Sequence, residues 1–240
     1  MNKPDFIIDI SSRSNSGALT SYDIQRSKEL LKLNGIVLLP SDTCYSLAAL
    51  AISRDIYKSI NSILNRNEEP ISVAFPNFKT VEEYVKLHMF SATLLEKFTP
   101  GPITVVCQAN SKIPSAFTEE VVRSTDGTVG VRIPDSYIER EIANCTKYPI
   151  TTVAIRDKNK KIVQDFKTAI EIVKDGMSKL SNPISWAAIE GGKFFSQHST
   201  VVRINEKTKQ VELIREGEIP FEKIRIATSH YPIWNIENWK

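Results

Sequence analysis

The sequence predicts an α/β fold in which a large, mixed, twisted sheet carries helices packed on it, and three observations predict it. Short runs rich in Val, Ile and Thr recur along the chain, as sheet strands do. Segments with apolar residues at helical spacing lie between several of them. The two kinds of segment alternate without the strict strand-helix-strand order of a doubly wound domain, so a mixed sheet fits better than a Rossmann arrangement.

In chain order, FIIDI (6–10) reads as a first short strand and SSRSNSG (11–17) as a polar connector. Thr20 starts a helix, and Asp23 three residues on suits a capping box. Ile24, Leu30, Leu31 and Leu33 give that helix its apolar side, and Asn34-Gly35 ends it. The unbroken apolar run 36–39 is the pattern of a strand covered on both faces. It stops at Pro40 and drops into Ser41-Asp42-Thr43. That trio is either an ordinary turn or a pocket floor, where small side chains let a ligand approach the backbone.

From 53 to 66, Ile56, Ile60, Ile63 and Leu64 fall at helical spacing. PISVAFP (70–76) returns as a strand, followed by strands at ITVVCQA (103–109), TVGVRIP (128–134), PITTVAI (149–155), STVVRI (199–204) and QVELI (210–214). Helices are expected near 80–98, 135–144 and 165–179. The closing HYPIWNIENWK (230–240) carries two tryptophans, which free tails rarely do, so it is expected to pack back. The organisation expected is an N-terminal strand and connector over 1–20, one domain over 21–225, and an aromatic tail over 226–240 packed on it.

Bulk properties narrow the function. Hydrophobic content of 41% and charged content of 25% are ordinary globular values. A net charge of +3 does not by itself announce a nucleic-acid binder, although a local basic cleft would not show in it. The 3 cysteines, Cys44, Cys107 and Cys145, have no CxxC spacing, so neither a zinc site nor a disulfide framework is suggested. The first residues lack the apolar core of a signal peptide, and no run approaches the roughly 20 apolar residues that cross a bilayer. The expectation is a soluble, cytoplasmic protein without membrane contact, its oligomeric state left open. The phosphate-binding GxxxxGK[ST], the dinucleotide GxGxxG, the metalloprotease HExxH and the hydrolase GxSxG are all missing.

What remains is polar clusters where strands end: Ser41-Asp42-Thr43, Asn65-Arg66, Thr128 to Arg132, Thr151-Thr152 and His198-Ser199-Thr200, with Arg215 closing the final strand. Ligands of α/β sheets gather at strand ends because several loops converge there. Arginines mixed with hydroxyls suit an anion, since guanidinium forks grip carboxylate or phosphate. The alternative is that these are solvated turn residues and surface ion pairs. Cys44, even with His198 as partner, is a poor candidate nucleophile, because a lone thiol at a strand end is usually inert.

The order and wording of these pieces carry a resemblance. PSDTCYSL (40–47) looks like P-T-[DE]-T-x-Y-G-L, and NRNEEPISVAFPN (65–77) is similar to K-x-R-P…P-L-x-V-L. FTPGPITVV (98–106) matches W-P-G-P-L-T-L-V, and TVGVRIPD (128–135) matches T-V-x-V-R-x-P. PITTVAI (149–155) sits where P-L-x-x-T-S-A-N is found. GGKFFSQHSTVVRI…VELIREGEI (191–219) resembles G-G-x…S-T-V-V-D-L…L-R-x-G-x-I. From about Ile24 to Ile219 the chain therefore resembles the YrdC-like family of threonylcarbamoyl-AMP synthases.

The resemblance implies one α/β domain with a large twisted sheet around a concave, positively charged cavity. It implies a nucleotidyltransferase that joins L-threonine, bicarbonate and ATP, with Mg²⁺ accompanying the nucleotide, into threonylcarbamoyl-AMP and pyrophosphate. The product serves tRNA modification, and some members bind double-stranded RNA. By matching position, Arg66 and Arg132 would be the catalytic arginines. Ser41, Arg132, Thr152 and Ser199 would hold threonine. Arg66, Thr128, Ala154, Arg156 and Arg215 would reach the nucleotide. Thr128 has the alternative of being only a strand residue, and Arg215 of being only an exposed ion-pair partner.

Three positions depart from the pattern. Leu64 stands where the family has lysine, Ala154-Ile155-Arg156 where it has Ser-x-Asn, and Ser46 where it has glycine. The amino-acid half is thus kept while the phosphate half is eroded, as in the divergent YciO-like members. The additional C-terminal domain of longer members is not expected. Two further readings stand beside the synthase: a non-catalytic module binding double-stranded RNA or a nucleotide, and a sensor that keeps only the threonine-like half.

Overall fold

The computed structural model describes residues 3–12, 18–51, 54–66, 71–113, 126–146, 148–191, 197–205 and 210–229. The first strand, β1 (Phe6–Asp9), is followed by α1 (Ser21–Lys32). The capping box forms: Asp23 N donates to Thr20 Oγ1 at 3.2 Å, and the Asp23 carboxylate accepts from Thr20 N at 2.9 Å. Such a cap contributes about 1 kcal/mol. Asn34 takes a left-handed conformation, φ 59°, which turns the chain out of the helix.

Next come β2 (Ile36–Pro40) and β3 (Tyr45–Leu50), every residue of both buried. They form an antiparallel hairpin in which Pro40 faces Tyr45, so the polar trio after Pro40 is its loop. The chain continues through α2 (Arg54–Ile63), β4 (Ser72–Ala74), α3 (Phe78–Tyr84), β5 (Val85–Lys86), α4 (Met89–Phe98) and β6 (Ile103–Ala109). Then follow β7 (Thr128–Arg132), α5 (Tyr137–Asn144), β8 (Ile150–Ala154), α6 (Phe166–Ser178), β9 (Trp186–Glu190), β10 (Thr200–Asn205), β11 (Gln210–Arg215) and α7 (Phe221–Ser229).

Among the described residues the strands join one 11-stranded sheet in the order β1-β9-β2-β3-β8-β4-β7-β6-β10-β11, with β5 added to β6. Parallel and antiparallel neighbours are mixed, as the sequence predicts. The elements differ in places from that prediction. The stretch 80–98 is two helices parted by β5 and by His88, which caps α4. The strands β3 and β9 and the helix α7 had no counterpart in the sequence reading. β3 and β9 are rich in alanine, YSLAAL and WAAIE, which dilutes the β-branched signal. The proposed packing of the tail falls on 230–240, outside the described residues, as does most of the connector at 13–17.

Alternation along the strands assigns the two faces. One face carries Ile36, Leu38, Tyr45, Leu47, Val73, Phe75, Val105, Val131 and Val153, packed with α2, α4, α6 and α7 into the larger core. The opposite face carries Val37, Leu39, Ala48, Ile150, Ala187 and Ile189, packed with Leu30 and Leu31 of α1 and Ile142 of α5. In phase with that second set, farther across the sheet, stand Ser46, Thr152, Ser72, Gly130 and Thr104. These small residues form a floor that no apolar helix stripe is shaped to cover. A methyl group at Gly130 would lie 2.9 Å from Thr104 Cγ2 and 3.2 Å from Ser72 Oγ, so only glycine leaves this floor undisturbed.

Candidate functional site

A small cleft that opens to solvent lies over this floor. Its walls come from six places in the chain. The hairpin loop and β3 give Thr43 and Ser46, the end of α2 gives Arg66, and β4 gives Ser72. From β7 comes Arg132, from β8 and its following loop Thr152, Ala154 and Arg156, and from the β10–β11 pair His198, Ser199 and Arg215.

The end nearest the hairpin is an ionic cluster inside the protein. The Arg132 and Asp42 side chains are only 8% and 5% exposed, with Arg132 Nη2 2.5 Å from Asp42 Oδ1. Asp42 Oδ2 also accepts from Asp135 N at 3.0 Å. Burial opposes the charge of Asp42, but Arg132 and these hydrogen bonds outweigh it and hold the carboxyl below its usual range. Burial likewise works against the Arg132 charge, and Asp42 and Glu139 together overcome it.

Glu139 completes this cluster. It enters from α5, which begins at Ser136: Ser136 Oγ accepts from Glu139 N at 3.2 Å and donates to Pro40 O at 3.0 Å. That cap fastens the helix start to the end of β2 and aims Glu139 inward, fully buried. Ser41 Oγ lies between the two carboxylates, 3.0 Å from Asp42 Oδ1 and in a short hydrogen bond with Glu139 Oε2. Burial pushes the Glu139 carboxyl up and Asp42 adds to this, against the pull of Arg132. The Thr152 hydroxyl lies near enough to favour the charged form of Glu139, yet it completes no hydrogen bond. Arg132 Nε, Glu139 Oε1 and Thr152 Oγ1 are buried polar atoms without a partner. Such atoms are rare in folded proteins and mark places where a ligand or water completes the bonding.

The other end is open and basic. Arg66 follows α2 and donates to Asn61 Oδ1 at 3.2 Å. Arg156 is tied by a bridge to Ile162. An adjoining groove shares Arg66, Ala154 and Arg156 with the cleft and adds Leu64, Lys158, Lys160 and Lys179. Arg215 Nη2 donates to Ser199 O at 2.9 Å and to Ser199 Oγ at 3.1 Å. Ser199 Oγ is also 3.0 Å from Thr104 Oγ1. Arg215 is thus anchored to the cleft wall.

The structure therefore brings Arg66, Arg132, Thr152, Ala154, Arg156, Ser199 and Arg215 to one cleft. Ser41 lies behind the wall, 1% exposed. Thr128 is outside the lining: it stands four residues along β7 from Arg132, about 13 Å away, and its hydroxyl donates to Asp126 Oδ1 at 2.8 Å. Glu139, Ser72 and Thr104 were not singled out from sequence. Cys44 is buried, with its thiol pushed up by that burial, which makes it a poor nucleophile. Among the described residues no cluster of three or more His, Cys, Asp or Glu could hold a metal ion, and no helix is long and apolar enough to cross a membrane.

Comparison with known proteins places this chain in a family. The Sua5/YciO/YrdC family model, described as telomere recombination, matches residues 29–217. A putative threonylcarbamoyl-AMP synthase of Methanocaldococcus jannaschii is 27% identical over 211 residues, covering 86% of this chain and 93% of that protein. The threonylcarbamoyl-AMP synthase of Pyrococcus abyssi is 24% identical over 215 residues, covering 86% of this chain, which spans only 57% of that longer protein. The P. abyssi Sua5 structure complexed with L-threonine superposes with a TM-score of 0.75 at 23% identity, over 92% of this chain and 60% of that one. E. coli YciO superposes with a TM-score of 0.71 at 16% identity, over 90% of this chain and 96% of that one. With the sheet, the cleft and a family match over most of its length, the chain belongs to the Sua5/YciO/YrdC family.

Proposed function

We propose that the protein is a nucleotidyltransferase of the threonylcarbamoyl-AMP synthase type, joining L-threonine, bicarbonate and ATP and releasing pyrophosphate. The observation that carries this reading is one cleft with a buried arginine and hydroxyls at one end and three arginines toward the other. The relatives named as such synthases support it, as does the L-threonine complex of P. abyssi Sua5.

In this reading the amino acid's carboxylate sits on Arg132, with Thr152 and Ser199 beside it and Ser41 behind. Bicarbonate and the amine give a carbamate with loss of water, and a carbamate oxygen attacks the α-phosphorus of ATP while the bond to pyrophosphate breaks. Arg66, Arg156 and Arg215 hold the phosphates. Two anions have to be kept together as charge builds on the leaving group, so positioning and neutralisation carry the chemistry. Such a reaction needs no protein nucleophile. Mg²⁺ would enter with ATP as part of the substrate. The product would serve tRNA modification.

Purified protein given L-threonine, bicarbonate, Mg²⁺ and ATP is expected to release pyrophosphate only when all four are present. Release that is absent, or that does not need threonine, overturns the reading.

The groove favours a second reading, a non-catalytic RNA-binding or nucleotide-binding paralogue. Lys158 and Lys160 extend the basic surface beyond the cleft, beside Asp157 and the Lys179–Asp175 ion pair, and by the resemblance Leu64 puts an apolar side chain where the family has lysine. Affinity for structured RNA would then fall steeply with salt as counterions are released, and salt-insensitive or undetectable binding removes it.

A further inference from the structure

The Ser41 contacts pose a problem of proton counting. Its oxygen is within hydrogen-bond distance of both Asp42 and Glu139, but a hydroxyl has one proton to give. If both carboxylates were ionised, one contact would set oxygen lone pairs against each other. A proton on Glu139 resolves this: Glu139 donates to Ser41, Ser41 donates to Asp42, and Asp42 accepts from Arg132 and Asp135 N. The charge count agrees, because Arg132 is the one cation against two carboxylates in this buried cluster. A ligand carboxylate on Arg132 would make three negative groups around it.

We propose that Glu139 is a positioning residue that carries one proton when a small carboxylate ligand occupies the cleft, and that this proton lets the Asp42–Arg132 pair accept the ligand. The inference deepens the reading of this end of the cleft as a carboxylate site and rests on it. Paired carboxylates that share a site take up a proton for the same reason.

The groups acting on Glu139 come from β7, β8 and the hairpin loop. Arg132 on β7 and Asp42 in the hairpin loop bear charge, Thr152 on β8 and Ser41 offer hydroxyls, and Cys44 adjoins with its thiol kept neutral by burial. Burial already pushes the Glu139 carboxyl upward, and an arriving anion pushes it further. Above the pH at which Glu139 loses this proton in the free protein, binding draws one proton from solvent back onto it. Affinity is highest at low pH and falls as pH rises past the titration of Glu139 in the free protein, approaching about tenfold per pH unit.

The test is calorimetric titration of L-threonine into the full chain across pH, in two buffers of different ionisation heat, with Glu139→Gln and His198→Gln beside the wild type. His198 also lines the cleft and is a titratable group outside the buried carboxylate pair. The expected result is proton uptake and falling affinity in the wild type and in His198→Gln, and pH-independent binding without uptake in Glu139→Gln. Equal uptake in Glu139→Gln, or uptake that vanishes in His198→Gln, overturns the proposal while leaving the carboxylate reading intact. No binding by any of them overturns that reading and the proposal with it. If Glu139→Gln does not fold, the other two proteins decide: uptake in both supports the proposal, and its absence from either defeats it.

Discussion

At one end of the cleft Arg132 and Asp42 hold each other at 2.5 Å inside the protein, with Glu139 behind them. At the other, Arg66 and Arg156 stand half-buried at the ends of secondary-structure elements, beside exposed Lys158 and Lys160. The inner end is part of the fold: Arg132 and Asp42 are held by one another inside the protein, so changing one strands its partner. The outer end faces water, which screens and solvates its cations, so its residues can be exchanged at little expense to stability.

The largest effect should come from Arg132→Met, which leaves Asp42 and Glu139 buried without their cation. Unfolding in urea is expected to show a loss of about 3–5 kcal/mol, against less than about 0.5 kcal/mol for Arg156→Ala. Similar losses in the two variants would break the contrast. Next comes the combined substitution Leu64→Lys, Ala154→Ser and Arg156→Asn. If the outer end limits turnover, pyrophosphate release rises about 100- to 1000-fold, and an unchanged rate shows that the outer end is not what limits it.

Acid provides a finer probe. The Asp42 carboxyl is held below its usual value of 3.8. Its stabilising contribution is therefore present above that value and is lost as pH falls through the lower pKa of the folded state. Unfolding followed across this range should show a steeper acid loss for the wild type than for Asp42→Asn, and parallel curves would contradict the assignment. At the inner end a smaller loss than that of Arg132→Met is expected for Ser136→Ala, about 1 kcal/mol for a lost helix cap, read by thermal unfolding. A neutral result would mean that the α5 start is held by other contacts.

Local chemistry made much of this visible in the sequence. The capping box at Thr20 and Asp23, the doubly covered run 36–39 and the strand-end clusters all follow from rules that act within a few residues. Most of the polar clusters do meet in one cleft, because sheet alternation puts Ser46, Ser72, Thr152 and Arg132 on one face. Glu139 escaped for a specific reason. Ser136-Tyr137-Ile138-Glu139 is the spacing of an ordinary capping box, which would keep the glutamate at its own helix start. Instead the side chain crosses to Ser41, 98 residues away in sequence, a contact set by how α5 packs on the sheet and by no local signal. Thr128 shows the converse: its hydroxyl sits in a polar cluster along the chain, but the length of β7 carries it away from Arg132.

The hairpin loop has a practical consequence. Loop tips are where proteases usually cut first, but Ser41, Thr43 and Cys44 are buried, and the strand entering them is fastened at Pro40 by Ser136. In the native protein this loop should therefore be spared while outer segments are nicked. Cleavage there would serve as a footprint of the moment when α5 lifts and the inner end comes apart.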